Sequence, residues 1–467
     1  MAVAAVSSRA DHQTAGNARS IERRKGSNVH HRLSAVLLLC VAGCASAPRT
    51  VESPSAEPTD TPVDVAPAPE RLEATPSLIA ARPADAGMDP HLNAALDSIM
   101  EAAIAAGAAP GASLAVGRWG RLVHLRGYGH IDQPAYSPNV NDSTIFDLAS
   151  LTKVVGTTTA AMILEEHGWL DIDRPVRDYL PEFSAPDKAG ITVRHLLTHS
   201  AGFIAGAPLW RDRRGAQQFI ERMNAQPLVY APGDSSIYSD WGFILTGFII
   251  ERITSQRLDT FLEHRIWEPL GMRDTGFNPL LLVGLPADIT CMSAYRPGHS
   301  LLSRIAVTEV DTVFRNRHVH GIVHDENACA LGGIAGHAGL FSSARDLSVF
   351  AHMMLNGGTY DGVQILEPAT IARWTAPQNE HSTRAIGWDT PAAQSSAGRY
   401  FSPRSFGHTG FTGTSIWMDP ERGLFVILLT NRVNPTRNNS LHVPLRRAVA
   451  DAVQAAVLDA PLHEWRQ

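Results

Sequence analysis

Strand-like stretches lie near both ends of the part of this chain that reads as folded, and helix-like stretches fill the space between. Ala112 to Val116 and Leu122 to Leu125 alternate around Gly117-Arg118-Trp119-Gly120, the pattern of a hairpin. Far downstream, Thr414 to Met418 and Leu424 to Thr430 flank the turn Asp419-Pro420-Glu421-Arg422-Gly423. Between them, residues 171–265 form helical patches broken by Pro and Gly, clearest at Ile191 to His199 and Gly242 to Ile253. The expected class is therefore α+β. Early and late strands share one antiparallel sheet flanked by helices, and a mainly helical lobe is inserted. The interface of two such lobes is the default place for a small ligand.

Local signals support this frame. Asp89 suits an N-cap and Pro90 the first helical position, with Leu92, Leu96, Ile99, Met100 and Ala103 on one face up to Gly107. Ala344 to Leu355, Pro368 to Trp374 and Leu445 to Val457 also read as helices. Asn278 to His337 shows little periodicity and reads as a long irregular region over a site. No internal repeat is present.

The N-terminus reads as targeting. Arg23, Arg24, Lys25 and Arg32 precede a short apolar run, Leu33 to Ala42, too short to span a bilayer. Val41-Ala42-Gly43-Cys44 resembles a bacterial lipobox, which implies cleavage before Cys44 and its lipidation. Residues 1–44 are then a lipoprotein signal peptide. Residues 45–80, rich in Ala, Pro, Ser, Thr and Glu, are an extended tether that cannot bury enough surface to order itself. The folded domain is 81–467, at the bacterial cell envelope. Cys40 leaves with the signal. Cys291 and Cys329 could pair in a compartment that permits disulfides, although two separate buried thiols are the expectation. Over 467 residues a net charge of −6 is mild, and no basic block points to nucleic acid.

Chemistry concentrates in Phe146-Asp147-Leu148-Ala149-Ser150-Leu151-Thr152-Lys153-Val154-Val155. On a helix, residues three apart share a face, so the Lys153 amine reaches the Ser150 hydroxyl. A serine is a poor nucleophile until a neighbouring group takes its proton, and a partly desolvated lysine is one candidate. Two further stretches accompany it: Tyr238-Ser239-Asp240 ahead of a helix, and His408-Thr409-Gly410 ahead of a strand.

In this order the three stretches resemble the Ser-x-x-Lys, Tyr-x-Asn and Lys/His-Thr-Gly motifs of the penicillin-recognising serine hydrolases. The tyrosine form is similar to class C β-lactamases, low-molecular-mass penicillin-binding proteins and the esterases near them. Ile191 to Gly202, Val323 to Ala328 and Gly336 to Ser342 resemble flanking segments of that family. The resemblance runs from about Met88 to the C-terminus. It implies a β-lactamase-like fold of the class C and D,D-peptidase type and an acyl-enzyme on Ser150. Lys153 and Tyr238 share the proton work. The backbone N–H groups of Ser150 and Phe411 form the oxyanion hole. His408 binds a substrate carboxylate or polarises Tyr238, Thr409 lines the site, and Gly410 lets a substrate backbone approach the strand. No cofactor or metal is implied.

One position departs from the pattern. Asp240 stands where the β-lactamases have asparagine, and an ionised carboxylate cannot donate a hydrogen bond to a substrate amide. His408 in place of lysine is only partly charged near neutral pH. Both changes favour a peptidoglycan-peptide D,D-peptidase or an esterase. A true class C β-lactamase, or a penicillin- or muropeptide-binding lipoprotein with little turnover, are the alternatives.

Three other stretches are weaker. Thr198-His199-Ser200-Ala201-Gly202 lacks the first glycine of a nucleophile elbow, so His199 reads as structural. His318, His320, His324 and Asp325 only faintly resemble a zinc site. Gly332-Gly333 lacks the Lys-Ser/Thr of a phosphate loop.

Overall fold

The structure is a computed structural model that describes residues 69–71, 77–133, 137–282, 300–378, 382–393, 395–462 and 464. The basic n-region, the apolar run, Cys40, Cys44, most of the 45–80 segment and Cys291 lie outside these residues.

Six strands build the main sheet: β1 (Ile79–Ala80), β2 (Gly111–Arg118), β3 (Arg121–Gly129), β4 (Phe406–Thr409), β5 (Ser415–Asp419) and β6 (Leu424–Thr430). Their order is β4-β5-β6-β2-β3-β1, so early and late strands do share one sheet. The seam between them is the β2–β6 ladder, which runs without a break from Arg118 opposite Leu424 to Ala112 opposite Thr430. All pairings are antiparallel except at the edge, where β1 runs parallel to β3. The tether reading therefore fails at its C-terminal end. Ile79 and Ala80 join the sheet, and Glu70–Arg71 pairs with Val363–Gln364.

Both faces of the two central strands are apolar, so the sheet is covered on both sides. Leu114, Val116, Leu424, Val426 and Leu428 point to one face. There they meet Leu92, Leu96 and Met100 of α1 (Leu92–Ala105) and Leu445, Val449 and Val453 of α5 (His442–Ala455). Ala115, Phe425, Ile427 and Leu429 belong to the larger core on the other face, with Leu347, Phe350 and Met354 of α4 (Ala344–Leu355). This is period-two alternation with an apolar residue at each step. Each fully buried Leu or Phe contributes about 1.5–3 kcal/mol.

The inserted lobe centres on α3 (Asp240–Thr254), whose Trp241, Phe243, Ile244, Leu245, Ile249 and Ile250 are all buried. Gly242 lets this helix lie against the helix Val193–Leu197, since a Cβ there would sit 2.6 Å from the Leu196 carbonyl oxygen. The segment expected to be irregular contains a hairpin, Val307–Asp311 with Arg317–His320, and a short helix, Glu326–Ala330. Its alternation was masked by charged and histidine side chains that hydrogen-bond within the fold. Cys329 is disulfide-bonded rather than a free thiol.

Candidate active site

The site begins with a strained turn. Phe146–Asp147 pairs with Leu340–Ser342 in a small three-stranded sheet, and the chain then bends at Ala149, whose φ is +47°. An alanine in the left-handed region costs about 1 kcal/mol or more and persists only where neighbours hold it. Here they do. Asp147 Oδ1 accepts from the Ala149 N–H at 2.8 Å, and Thr152 Oγ1 donates to the Ala149 carbonyl at 2.6 Å. From the far end of the chain, Thr412 Oγ1 donates to the Asp147 carbonyl at 2.7 Å and Thr414 Oγ1 to the Leu148 carbonyl at 2.9 Å. Ser150 follows in a tight turn, and the helix then widens over Lys153–Thr158 before α2 (Thr159–Glu166). Such widened turns recur at functional sites.

Three of the residues expected to do chemistry converge. Lys153 Nζ donates to Ser150 Oγ at 3.0 Å, and Tyr238 Oη donates to the same oxygen at 2.8 Å. Lys153 is fully buried, and its ammonium also donates to Asp240 Oδ1 at 2.8 Å and to the His337 carbonyl at 2.9 Å. All three protons of the cation are thus placed. Burial alone would lower the lysine pKa, but the Asp240 carboxylate first, and the Tyr238 oxygen beside it, outweigh burial and raise the value above the ordinary one. Lys153 is a cation at neutral pH.

Tyr238 stands among positive charge and rings. Lys153 Nζ is 5.1 Å and the Arg384 guanidinium 5.2 Å from its ring centroid. His199 packs behind it at 4.4 Å between centroids, and His408 lies at 6.0 Å. The partial charge expected of His408 is absent. Burial first, then the Arg384 and Lys153 cations, push its pKa well below the usual histidine range. Its Nδ1–H donates to the Thr409 carbonyl at 2.8 Å, and Nε2 is buried without a partner.

The β4–β5 turn completes the arrangement. A Cβ at Gly410 would lie 2.4 Å from the Leu148 carbonyl oxygen and 2.1 Å from Thr414 Oγ1. Glycine is therefore required for the protein's own close approach to the Ser150 turn, a demand beyond the expected room for substrate. Phe411 is half exposed, and among the described residues its N–H has no acceptor. Thr409 ends β4 beside His408.

Asp147, Thr412, Thr414 and Arg384 were not singled out from sequence. Asp147 stood inside the quoted Ser150 stretch, and the two threonines follow Gly410 closely. Arg384 left no signal. Ser200 is bonded to Thr198 Oγ1 at 2.8 Å. His320 bonds to the Leu302 and Ile305 carbonyls, His324 to Glu309, and Asp325 to His337, so these side chains face different partners.

The buried imidazoles give the fold a pH signature. His199 and His408 lie well below the ordinary 6.5, and His124 is lowered to about 4, in each case chiefly by burial. A histidine depressed in the folded state takes up its proton only when the chain unfolds. Stability is therefore full above about pH 6.5 and is lost as the pH falls, by about 1.4 kcal/mol per pH unit for each group in its window. Asp346, raised to about 6 by burial, opposes this at lower pH. Melting temperature is expected to drop between pH 7 and about pH 5.5. A flat or rising profile over that range would contradict the neutral assignment.

A family model described as Beta-lactamase matches residues 96–451. A protein of Escherichia coli (strain K12), provisionally named a D-alanyl-D-alanine carboxypeptidase, is 33% identical over 380 residues, covering 73% of this chain and 82% of the relative. A penicillin-binding protein homologue from Caulobacter crescentus has a similar fold, with a TM-score of 0.61 at 23% identity over 79% of this chain and 99% of the other. A beta-lactamase/D-alanine carboxypeptidase from Pseudomonas syringae gives 0.60 at 19% identity, over 77% and 98%. With the nucleophile turn, the lysine and the tyrosine in place, the chain belongs to the β-lactamase family of serine hydrolases.

Proposed function

We propose that Ser150 is the nucleophile of a D,D-peptidase that cleaves the terminal D-alanyl-D-alanine bond of peptidoglycan peptides through an acyl-serine. The supporting observation is the pair of bonds on Ser150 Oγ, from Tyr238 Oη at 2.8 Å and Lys153 Nζ at 3.0 Å. Tyr238 Oη donates in the resting arrangement; for it to act as base, its proton first passes to water, and Lys153, held charged by Asp240, is the cation beside the phenolate so formed. The phenolate takes the Ser150 proton as Oγ attacks the carbonyl carbon. The Ser150 and Phe411 N–H groups receive the developing oxyanion. Tyr238 then returns the proton to the leaving amine as the C–N bond breaks. The same phenolate then takes a proton from water as its oxygen attacks the acyl carbon, and returns that proton to Ser150 Oγ as the C–Oγ bond breaks and the acid leaves.

The substrate class follows from charge. The name of the Escherichia coli relative points to a substrate ending in a carboxylate. Arg384, whose nearest carboxylate among the described residues is Asp389 at 3.8 Å, is a cation beside Tyr238 that can face that group. Neutral His408 favours the second reading, an esterase acting on uncharged acyl groups. The enzyme is proposed to sit in the cell envelope, tethered through a lipidated Cys44. A D-Ala-D-Ala peptide, a short-chain ester and nitrocefin, compared on the purified protein, decide the matter. Fast ester turnover with an inert peptide would replace the first reading by the second. Nitrocefin turnover at resistance-enzyme rates would overturn both.

Asp240 pairs with the Lys153 ammonium at 2.8 Å. In Asp240→Asn, Lys153 loses the carboxylate that keeps it charged. Activity at pH 7 is expected to fall by about tenfold or more, with the alkaline limb of the pH–rate profile moved to lower pH. An unchanged alkaline limb would show that Asp240 does not govern the lysine charge.

A further inference from the structure

The turn that carries Phe411 is gripped from behind by two arginines of the C-terminal segment. Arg446, on α5, donates from Nη2 to the Gly410 carbonyl at 2.8 Å and to the Thr414 carbonyl at 2.6 Å. Arg432, just beyond β6, donates from Nε to the Phe411 carbonyl at 2.7 Å, and its guanidinium lies 4.4 Å from the Phe411 ring centroid.

Arg446 is the less expected of the two. It is 8% exposed, its Nε has no partner, and among the described residues it forms no ion pair. Burial first, and the nearby Arg432 second, lower its pKa to about 9. Taking a guanidinium out of water without a carboxylate beside it is costly. An apolar side chain would fill the same space without that cost. The retained group must therefore act on what it touches, and it touches two carbonyls of one turn.

Peptide geometry says what that action is. The Gly410 carbonyl and the Phe411 N–H belong to one planar trans peptide, so they point in opposite directions. A donor locked onto the oxygen fixes where the N–H points. A positive donor also draws electron density toward the oxygen and makes the N–H a stronger donor, as bonded amides do in chains. The turn closes on itself through Gly410 N–H to the Thr414 carbonyl at 2.7 Å and Gly413 N–H to the Gly410 carbonyl at 3.1 Å, and Arg446 adds a charged donor to the same two oxygens.

We propose that Arg446 is a positioning residue of the oxyanion hole, whose buried guanidinium fixes and polarises the Gly410–Phe411 peptide so that the Phe411 N–H meets the substrate oxyanion. This rests on the acyl-serine reading above. Arg446 touches no substrate, and its effect belongs to the transition state rather than to ground-state binding.

The test compares Arg446→Met, which removes charge and both bonds at similar length, with Arg446→Lys, which keeps the charge and loses the fork. Active sites are counted by labelling with a fluorophosphonate, and all rates are expressed per labelled site. Arg446→Met is expected to lose about 100-fold in kcat with KM changed less than about threefold. Its affinity for a boronic acid that forms a tetrahedral adduct on Ser150 should fall by a similar factor. Arg446→Lys should lie between the variant and the wild type in both measures. A purely structural role predicts fewer labelled sites that turn over at the wild-type rate, with boronate affinity unchanged, and that result in either variant overturns the proposal. A wild-type enzyme that fluorophosphonate does not label at Ser150 would overturn the acyl-serine reading and this inference with it.

Discussion

Ser150→Ala is expected to abolish turnover of every substrate the protein accepts, by about 10⁴-fold or more in kcat, and to abolish labelling by a fluorescent penicillin. Nothing else near the bond can replace the lost oxygen. Ser200 is engaged with Thr198, and among the described residues no base bonds to its hydroxyl. The fold should survive the change. The Ser150 turn is held by Asp147, Thr152, Thr412 and Thr414, and none of those bonds uses the Ser150 hydroxyl. Melting temperature should stay within a few degrees of the wild type, corresponding to about 1 kcal/mol or less. Retention of a tenth of the activity by the folded variant would place the nucleophile elsewhere.

Tyr238→Phe carries the second large effect and separates the base from the cation. The substitution deletes one oxygen and leaves the ring against His199 and under both cations. If the phenolate is the base, kcat falls by about 10²–10⁴-fold while KM changes little. If a neutral lysine were the base, Tyr238→Phe would be mild, and kcat within about threefold of wild type would establish that. The corresponding lysine variant is a poorer probe. Removing the ammonium leaves Asp240 without its ion-pair partner against a buried wall, a loss of about 3–5 kcal/mol for buried pairs and less here because Asp240 is a third exposed. Lost activity in Lys153→Met would therefore mix chemistry with stability, whereas Tyr238→Phe keeps them apart.

The parts of this molecule that were legible in the sequence are those where local pattern and tertiary fate agree. Ala344 to Leu355 has helical periodicity and forms a helix over the same residues, because one face packs on the sheet. The end strands announced themselves by alternation and turn residues, and their union across the length of the chain was inferred from order alone. Ser150, Lys153 and Tyr238 could be grouped from sequence because the proposed chemistry needs those residue types in that order, and the fold brings their side chains together. The unread part is relational. That Asp240 keeps Lys153 charged, that His408 is kept neutral, and that Thr412 and Thr414 hold the backbone before Ser150 depend on distances that close only in three dimensions. Spacing along the chain does not encode them. The hairpin Val307–Asp311 with Arg317–His320 was missed for a related reason. Its polar positions face partners inside the protein, such as Glu309 with Arg437 and His324, so the apolar–polar contrast that marks a surface strand is missing.

The ladder that joins β2 to β6 also sets the order in which the molecule can assemble. On one side Ala112 pairs with Tyr128 of its own hairpin, but its other neighbour is Thr430, and the backbone before Ser150 is clasped by residues that follow Gly410. Most of the polypeptide must therefore exist before the central sheet can close. Such long-range closure is slow, because the entropy of the intervening loop is lost before any contact rewards it. A ribosome-bound chain ending before Leu424 has its early hairpin with one edge open and no partner for it. The active centre thus cannot be complete until the last strands and the final helix arrive.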